Sequence, residues 1–327
     1  MILVTGGAGY IGSHTVLALR EQGTRVLVVD DLSEGHRESV LDAEFLEGST
    51  LDADFLAGVL RDYPIDAVCH FAARCYVGES VTNPGSYYEN NVVGTLNLLR
   101  AMVTAEVTQI VFSSTCATFG EPDKMPIVED MPQRPINPYG ETKLVCERML
   151  RDFAAAHGIA SVALRYFNAA GADAAGRIGE DHEPETHLIP LVLAAAAGQG
   201  GKLTVFGGDY PTPDGTCVRD YVHVTDLAGA HVLALDALAA GRQGATAFNL
   251  GNQQGVSVLE VLKMVEDVTG LNVPYEMGDR RAGDPPILVG SSERIQSELG
   301  WKPLHGDIRS IVETAWNWHR QHPHGYT

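Results

Sequence analysis

A glycine-rich segment near the start of the chain constrains its fold more than any other feature. Ile2-Leu3-Val4 is a short apolar run of β type, and the glycines Gly6, Gly9 and Gly12 follow it with two residues between each pair. A helical pattern then runs from about residue 10 to 22, and a second apolar strand occupies residues 25–30. Glycine adopts the backbone angles of a tight turn easily, and a helix N-terminus offers free N–H groups to a phosphate. The segment therefore predicts a βαβ unit that binds a dinucleotide.

The end of the second strand indicates which dinucleotide this unit binds. Asp30 closes the strand, and a carboxylate at that place accepts hydrogen bonds from the adenosine ribose hydroxyls. Asp31 follows it, and two negative charges would repel a 2′-phosphate. NAD is therefore predicted over NADP. The alternative is a structural glycine turn that binds no ligand.

The first half of the chain continues to alternate apolar strands with helices. We predict strands at residues 66–71, 109–113 and 161–166, and a helix over about 139–157. Continuous apolar strands of this kind indicate a parallel sheet that is covered on both faces. Beyond about residue 170, loops rich in Gly, Asp, Pro and Thr separate helices near 225–239, 257–269 and 307–321. The predicted fold is therefore α/β, with a Rossmann-type doubly wound domain over residues 1–170 and a smaller, intimately packed and partly interleaved α/β domain over 171–327.

Composition and charge exclude several classes of function. The net charge of −19 and the lack of a basic stripe argue against a nucleic-acid partner. The five cysteines never stand in a CxxC spacing, so neither a disulfide framework nor a zinc site is indicated. We interpret His319, His322 and His324 as a solvated tail without a metal. No apolar stretch approaches the length of a membrane span, so we expect a cytoplasmic protein with no membrane partner.

A tyrosine and a lysine four residues apart are the candidate catalytic pair. Tyr139 and Lys143 would lie on one face of the predicted helix. An ammonium group close to the phenol favours the phenolate and would lower its pKa. With the positive charge of an oxidised nicotinamide nearby as well, the tyrosine could take a proton from a substrate hydroxyl. Thr115 ends the strand at 109–113 and could hold a substrate oxygen beside that base. Capping of its own backbone is the alternative role for Thr115.

Together these motifs resemble those of the extended short-chain dehydrogenase/reductase family, and within it the UDP-sugar 4-epimerases. The resemblance spans the whole chain and rests on the segments 6–12, 77–80, 87–91, 113–115, 139–143, 164–168, 209–216, 218–224 and 280–284, down to the final residues 322–326. It implies reversible C4 epimerisation of UDP-glucose and UDP-galactose through a 4-keto sugar, with NAD bound throughout. It also implies a homodimer joined by the helices near 83–103 and 139–157.

The resemblance assigns roles to particular side chains. Tyr139, Lys143 and Thr115 would be catalytic. The cofactor would contact Gly6, Gly9, Tyr10, Ile11, Gly12, Asp30, Asp31, Ser49, Thr50, Phe71, Ala72, Ala73, Asn90, Ser113, Tyr139, Lys143 and Tyr166. The UDP-hexose would contact Thr115, Asn168, His187, Leu188, Phe206, Arg219, Arg281, Asp284 and Leu288, with the two arginines on the diphosphate.

The chain departs from the family pattern at three positions that bear on binding. Cys75 stands where some members have a lysine beside the nicotinamide ribose, and Ser49 stands where the family often has an aspartate at the adenine. Leu288 replaces a bulky aromatic residue that crowds the sugar C2 side in some strict glucose/galactose epimerases. We therefore expect measurable activity on UDP-N-acetylglucosamine.

Three alternatives share the predicted fold or the predicted cofactor. A sugar-nucleotide 4,6-dehydratase would carry an Asp-Glu pair after the threonine, where this chain has Cys116-Ala117. A decarboxylase of nucleotide glucuronates would differ in its product. A catalytically silent NAD-sensing protein would not need an intact Thr115, Tyr139 and Lys143.

Overall fold

The computed structural model describes residues 1–281 and 285–326. The strands are β1 (Ile2–Thr5), β2 (Val26–Asp30), β3 (Glu44–Glu47), β4 (Ala67–His70), β5 (Gln109–Thr115), β6 (Ala160–Tyr166), β7 (Asn168–Ala170), β8 (Leu203–Phe206), β9 (Val218–His223), β10 (Ala245–Leu250), β11 (Gly255–Ser257), β12 (Tyr275–Gly278) and β13 (Ile287–Leu288). The α-helices are α1 (Tyr10–Glu21), α2 (Ala53–Asp62), α3 (Val77–Thr82), α4 (Pro84–Tyr87), α5 (Gly94–Thr104), α6 (Pro138–His157), α7 (Leu188–Ala196), α8 (Val224–Ala239), α9 (Val258–Thr269), α10 (Glu293–Leu299) and α11 (Ile308–Gln321). Within these described ranges, no helix combines the length and apolar character needed to cross a membrane.

Seven parallel strands form the central sheet, which confirms the predicted doubly wound fold. Their order is β10-β6-β5-β4-β1-β2-β3, and every neighbouring pair is parallel. The chain builds outward from β1 to β2 and β3, and then returns to place β4 on the other side of β1. This reversal creates a crevice at the carboxyl ends of β1 and β4, where open α/β sheets bind ligands.

Alternate residues of the strands face two separate hydrophobic layers, as the period of a β-strand requires. Val4 and Val28 pack with α1 and α8 on one face of the sheet. Leu3 and Leu27 pack with α2, α5 and α6 on the other. Because both faces are covered by helices, the strands are apolar throughout, which is why their sequence pattern was continuous rather than alternating.

The second half of the chain contributes to both parts of the molecule. The strand β10 pairs with β6, and α8 packs in the same core layer as α1, so residues 224–250 belong to the large sheet and its cover. A separate core joins α7, α9 and α11 with β8 and the β9 residue Tyr221. The division into two domains at residue 170, with the interleaving expected there, stays a prediction.

The predicted helix near residues 83–103 is not a regular α-helix along its length. A π-helical segment, Tyr88–Val93, separates α4 from α5. It turns the buried Asn91 side chain toward the loop after β4, where its amide accepts from the Arg74 N–H and donates to the Arg74 carbonyl. The same amide donates to the Thr142 hydroxyl at 3.0 Å. The π-helical turn therefore links that loop to α6, and π-helical turns are frequent at functional sites.

Candidate active site

Two glycines let the first loop close tightly over the crevice. Gly6 has a φ of +72°, and a Cβ there would lie 2.3 Å from the Ala72 backbone nitrogen at the end of β4. A Cβ on Gly12 would lie 2.1 Å from the Gly6 carbonyl oxygen. Neither place admits a side chain, so these glycines bring the start of α1 against the carboxyl edge of the sheet.

Gly9 is different, because the space beside it is left for a ligand. A Cβ on Gly9 would meet nothing nearer than the Gly6 oxygen at 3.5 Å. Gly9 lines a cleft with about 570 Å³ of empty space. It also caps α1 without a side-chain hydrogen bond, so no capping side chain satisfies the N–H groups of the first turn. The fold would tolerate a side chain at Gly9, so the open space at the N-terminus of α1 suits the pyrophosphate of a dinucleotide.

Asp30 lines this cleft at the end of β2, and two backbone N–H groups hold its carboxylate in place. Its two carboxylate oxygens accept from the Ala8 and Leu32 N–H groups, each at 2.9 Å. Burial raises the pKa of Asp30, although these two hydrogen bonds oppose the rise and Asp31 adds to it. A preorganised carboxylate at the end of β2 suits the ribose hydroxyls of NAD.

Nine of the predicted cofactor residues line the cleft, and eight lie elsewhere. The lining includes Gly6, Gly9, Asp30, Asp31, Thr50, Phe71, Ala72, Ala73 and Asn90. Tyr10, Ile11, Gly12, Ser49, Ser113, Tyr139, Lys143 and Tyr166 are not part of it. The structure adds Val29, Ser33, Glu34, Gly35, Gly48 and Arg74. Residues 33–35 follow Asp31 in a short polar turn ending in glycine, and this turn was a signal that the sequence interpretation did not use.

Lys143 is a buried cation one helical turn after Tyr139 on α6. Its side chain is 3% exposed, its ammonium donates to the Ser113 carbonyl at 2.8 Å, and it lies 4.9 Å from the centre of the Phe112 ring. Burial lowers the pKa of Lys143 to about 8. The lysine is thus tied to the end of β5, and the predicted same-face arrangement of Tyr139 and Lys143 is confirmed.

The pKa of Tyr139 moves in the opposite direction to the prediction. Burial raises the pKa of Tyr139 well above its ordinary value, and the hydrogen bond with the Thr115 side chain only partly opposes this. Lys143 gives its hydrogen bond to Ser113 and is not among the groups that lower the phenol pKa. In the protein without its cofactor, burial is thus the largest influence on the Tyr139 pKa and disfavours the phenolate.

Thr115 caps its own backbone, which is one of the two roles weighed for it; the other role, holding a substrate oxygen, stays a prediction. Its hydroxyl oxygen accepts from the Ala117 N–H at 3.1 Å and caps a 3₁₀ turn, Cys116–Phe119. The same side chain lies close enough to Tyr139 to lower the pKa of that phenol against the larger effect of burial. The cap fixes the position of the Thr115 hydroxyl, which lies close to the Tyr139 phenol.

A buried ion pair supports the floor of the site. Glu147, one turn after Lys143, accepts from two guanidinium nitrogens of Arg165 at 2.9 and 2.7 Å. It also accepts from the Ser114 hydroxyl at 2.6 Å. Although burial opposes ionisation, the Arg165 guanidinium keeps the pKa of Glu147 below its usual value. The pair joins α6, β5 and β6, and sequence reasoning missed it because its members are far apart in the chain.

The small sheet around β9 brings three predicted substrate residues together. Asn168 pairs with Tyr221 across β7 and β9, and Leu288 pairs with Arg219 across β13 and β9. The Asn168 amide donates to the Asp220 carbonyl at 3.0 Å. Arg219 is close enough to Cys116 to lower the pKa of that thiol against the larger effect of burial, so this sheet lies next to Thr115.

The remaining substrate predictions fall in less regular places. The guanidinium of Arg281 lies 4.0 Å from the centre of the Phe206 ring, and both side chains are exposed. His187 immediately precedes Leu188, the first residue of α7. Asp284 lies outside the described residues. The structure also reveals that Glu180 and Glu185 contact His187, which the sequence interpretation did not include.

The fold and the site together define a class of protein. A parallel sheet with a glycine loop at its reversal point and a Tyr-x-x-x-Lys pair on the helix after β5 is the arrangement of an NAD-binding enzyme of the extended short-chain dehydrogenase/reductase type. The chain belongs to the NAD dependent epimerase/dehydratase family, whose model matches residues 2–251. The predicted resemblance is thereby confirmed, and NAD is the cofactor.

Several relatives resemble the chain over its full length. It is 54% identical over 326 residues to a UDP-glucose 4-epimerase of Halalkalibacterium halodurans, covering 100% of this chain and 97% of the relative. A UDP-glucose 4-epimerase of Brucella ovis in complex with NAD is 50% identical, with a TM-score of 0.94 and 97% of each chain covered. The corresponding enzyme of Bifidobacterium longum, in complex with NAD⁺ and UDP, is 38% identical with a TM-score of 0.94 and 99% of each chain covered.

Proposed function

We propose that the protein interconverts UDP-glucose and UDP-galactose by reversible epimerisation at C4. The observation that carries this proposal is the placement of Tyr139, Thr115 and Lys143 at the carboxyl edge of β5. They lie beside a dinucleotide cleft, with no second acid–base pair after the threonine. The full-length similarity to UDP-glucose 4-epimerases supports the same conclusion.

The side chains of the site can carry the proton that this reaction requires. Tyr139 would take the proton from the sugar O4 and later return it, while Thr115 holds the same oxygen through its fixed hydroxyl. Bound NAD⁺ would accept the C4 hydride and return it to the other face of the 4-keto sugar, and its positive charge would favour the phenolate. Lys143 would serve the cofactor ribose from its place on the Ser113 carbonyl. Because the phenol pKa is raised in the protein alone, the base is active only in the complete site.

The substrate side must hold the nucleotide firmly and the sugar loosely, because the keto sugar has to turn over between the two hydride transfers. We assign the diphosphate to Arg219 and Arg281, and the nucleotide to Asn168, His187, Leu188 and Phe206, with Asp284 at the uridine ribose. An exposed arginine stacked on an exposed phenylalanine supports this assignment, since both faces are available to a ligand. Leu288 lies on the strand beside Arg219 and would face the sugar.

The competing functions are weaker on chemical grounds. A 4,6-dehydratase needs an acid and a base after the threonine, but Cys116 is a thiol whose pKa burial raises to about 12, and Ala117 has no ionisable group. A silent NAD-binding protein would have no need for the contact between Thr115 and Tyr139. A decarboxylase is separated by its product.

Product analysis without added cofactor tests the proposal directly. The purified protein would be incubated with UDP-galactose, UDP-xylose, UDP-N-acetylgalactosamine or UDP-glucuronate in the absence of free NAD, and the products identified by chromatography and NMR. We expect UDP-glucose from UDP-galactose, with NAD remaining bound to the protein. Loss of carbon dioxide from a glucuronate substrate, or formation of a 4-keto-6-deoxy sugar, would contradict the proposal.

We also propose that the protein is a cytoplasmic homodimer with its interface on α3 to α6. The apolar side chains Val81, Tyr88 and Val93 are 62%, 42% and 44% exposed on that surface, and a second copy would cover them. Light scattering after gel filtration would test the dimer, and Val81→Glu together with Val93→Glu should yield monomers.

We also propose that the chain divides into a cofactor domain over residues 1–170 and a substrate domain over residues 171–327.

A further inference from the structure

Two histidines and two glutamates form a compact cluster in the loop before α7. Its members are Glu180, His182, Glu185 and His187, and one donor atom from each lies within 4.8 Å of all the others. Only His187 belongs to the substrate residues proposed above. The other three side chains have no part in the transfer of a proton or a hydride at the sugar.

The spacing of the donor atoms matches a metal site. The Nδ1 atom of His187 lies 2.8 Å from a Glu185 oxygen and 3.1 Å from a Glu180 oxygen. The Nδ1 atom of His182 lies 3.3 and 3.5 Å from oxygens of the same two glutamates. Four ligands placed about 2.0–2.1 Å from a tetrahedral ion would be about 3.3 Å apart. The observed separations lie on both sides of that value.

The environment of Glu180 provides a second and independent reason. Its side chain is only 7% exposed, and in the described part of the chain its recorded contacts are with the imidazoles of His182 and His187. No arginine, lysine or backbone N–H accompanies it there. A carboxylate removed from water needs a hydrogen-bond donor or a cation close by, and the ion-pair partners of this one among the described residues are two imidazoles, which are also metal-binding side chains.

The surrounding residues hold the cluster in place. The Glu185 Oε1 atom accepts from the backbone N–H groups of Thr186 and His187, each at 2.7 Å, which fixes the orientation of that carboxylate. Tyr10 and Tyr76 contact the His182 ring edge-on, with ring centres 6.2 and 6.3 Å away. Partners that orient the ligands in this way are usual around metal sites.

We propose that Glu180, His182, Glu185 and His187 bind one divalent transition-metal ion of the class that includes Zn²⁺ and Co²⁺. Two imidazole nitrogens with two carboxylate oxygens form a donor set that suits these ions. The ion would neutralise two carboxylates in the loop that carries His187, which is one of the proposed nucleotide contacts. In a chain with a net charge of −19 this would favour an anionic substrate. The metal site itself does not depend on the proposed epimerase activity.

Metal titration of the purified full-length protein tests the proposal. The protein would be stripped with a chelator, dialysed against Zn²⁺ and measured for metal content, and a second sample would be loaded with Co²⁺. We expect one ion per chain, an increase in melting temperature with Zn²⁺, and the intense visible bands of four-coordinate Co²⁺. His182→Gln and Glu180→Gln should each weaken binding by roughly 100-fold, because each removes a ligand.

The control removes two histidines elsewhere. His157 and His324 are exposed, so the double variant His157→Gln/His324→Gln should bind the ion as the unchanged protein does. Equal metal content in the cluster variants and the unchanged protein would overturn the proposal. So would a Co²⁺ spectrum without four-coordinate bands, which needs no variant and therefore does not depend on how the variants fold.

Discussion

The cofactor cleft and the substrate region are built in opposite ways. Backbone forms the cleft: Gly6 and Gly12 leave no room for a Cβ, and Asp30 is fixed by two N–H groups. Side chains from separate loops and short strands form the substrate region, where Arg281 stacks on Phe206 and Arg219 donates to the Val218 and Pro285 carbonyls. The first region is fixed by the fold, whereas the second can vary its side chains without changing the fold. We infer that specificity resides in the second region.

Tyr139 lies where the two regions meet, and its removal should produce the largest effect. Tyr139→Phe retains the ring and deletes the hydroxyl, so we expect turnover of UDP-galactose to fall roughly 10³-fold. Bound NAD, measured by absorbance after denaturation, should stay at the level of the unchanged protein because the cleft is untouched. Activity close to normal would show that another group is the base, and loss of NAD would show that chemistry and cofactor binding are not separable here.

Two glycine variants test whether the fold and the ligand impose different demands within the cleft. Gly12→Ala places a Cβ 2.1 Å from a backbone oxygen, and we expect it to lower the free energy of unfolding by about 3 kcal/mol. Gly9→Ala should leave that free energy within about 1 kcal/mol of normal, because its Cβ meets nothing closer than 3.5 Å. It should nevertheless lose NAD. Urea unfolding and NAD content together distinguish the two, and a Gly9→Ala protein with full NAD would refute the assignment of that space to the pyrophosphate.

Replacing Lys143 should show how much the buried ammonium group lowers the free energy of unfolding. Burial lowers the pKa of Lys143 from 10.5 to about 8, so at pH 7 the folded protein holds an unfavourably buried ammonium. This costs roughly 3 kcal/mol, and the cost disappears as pH rises from about 8 to above 10.5, since the unfolded chain binds the proton more tightly across that window. Lys143→Met should therefore be more stable than the unchanged protein at pH 7 by about 2 kcal/mol, after loss of the hydrogen bond to Ser113.

The sign of the difference in unfolding free energy between Lys143→Met and the unchanged protein at pH 7 tests this explanation. Urea unfolding of both proteins at pH 7 and pH 10 should show the advantage of Lys143→Met shrinking as pH rises, while its epimerase activity is low at both. A variant that is less stable at pH 7 would mean that Lys143 stabilises the fold rather than only the site.

In the proposed substrate region, the neighbouring residues Arg281 and Arg280 provide a variant and its matched control. Arg281→Gln should raise the KM for UDP-galactose by roughly 10- to 100-fold, as expected for a lost hydrogen bond to a charged group, and leave bound NAD unchanged. Arg280 is the control, because it is also exposed but pairs with Asp209 and covers the Tyr210 ring. Arg280→Gln makes the same change in charge and should leave KM within a factor of about two. Equal effects from both variants would indicate only a general change of electrostatic potential.

The same contrast explains which features could be predicted from the sequence. The strands β1, β2, β4, β5 and β6, the glycine loop and the Tyr139–Lys143 pair are local patterns, so they were predicted correctly, whereas the short strand β3 at Glu44–Glu47 was not predicted. The pairing of β10 with β6 and the Glu147–Arg165 ion pair join distant segments, and no local pattern encodes them. The direction of the Tyr139 pKa was wrong because burial, which depends on the whole fold, outweighs the nearby lysine. The π-helical segment before α5 was missed because its residues also fit an ordinary helix.

Leu288 should give the smallest effect and the most specific one. It lies in β13 beside Arg219, and it packs against a small core formed by Phe119, Ile127 and Phe167. Because leucine is smaller than an aromatic residue, we expect the unchanged protein to turn over UDP-N-acetylglucosamine as well as UDP-glucose. Leu288→Tyr should lower kcat/KM for the N-acetylated sugar roughly tenfold and change that for UDP-galactose by less than about threefold. Ile287→Val, on the alternate face of the same strand, should change kcat/KM for neither substrate. If the unchanged protein has no activity on the N-acetylated sugar, specificity against the acetyl group must arise from another residue of the substrate region.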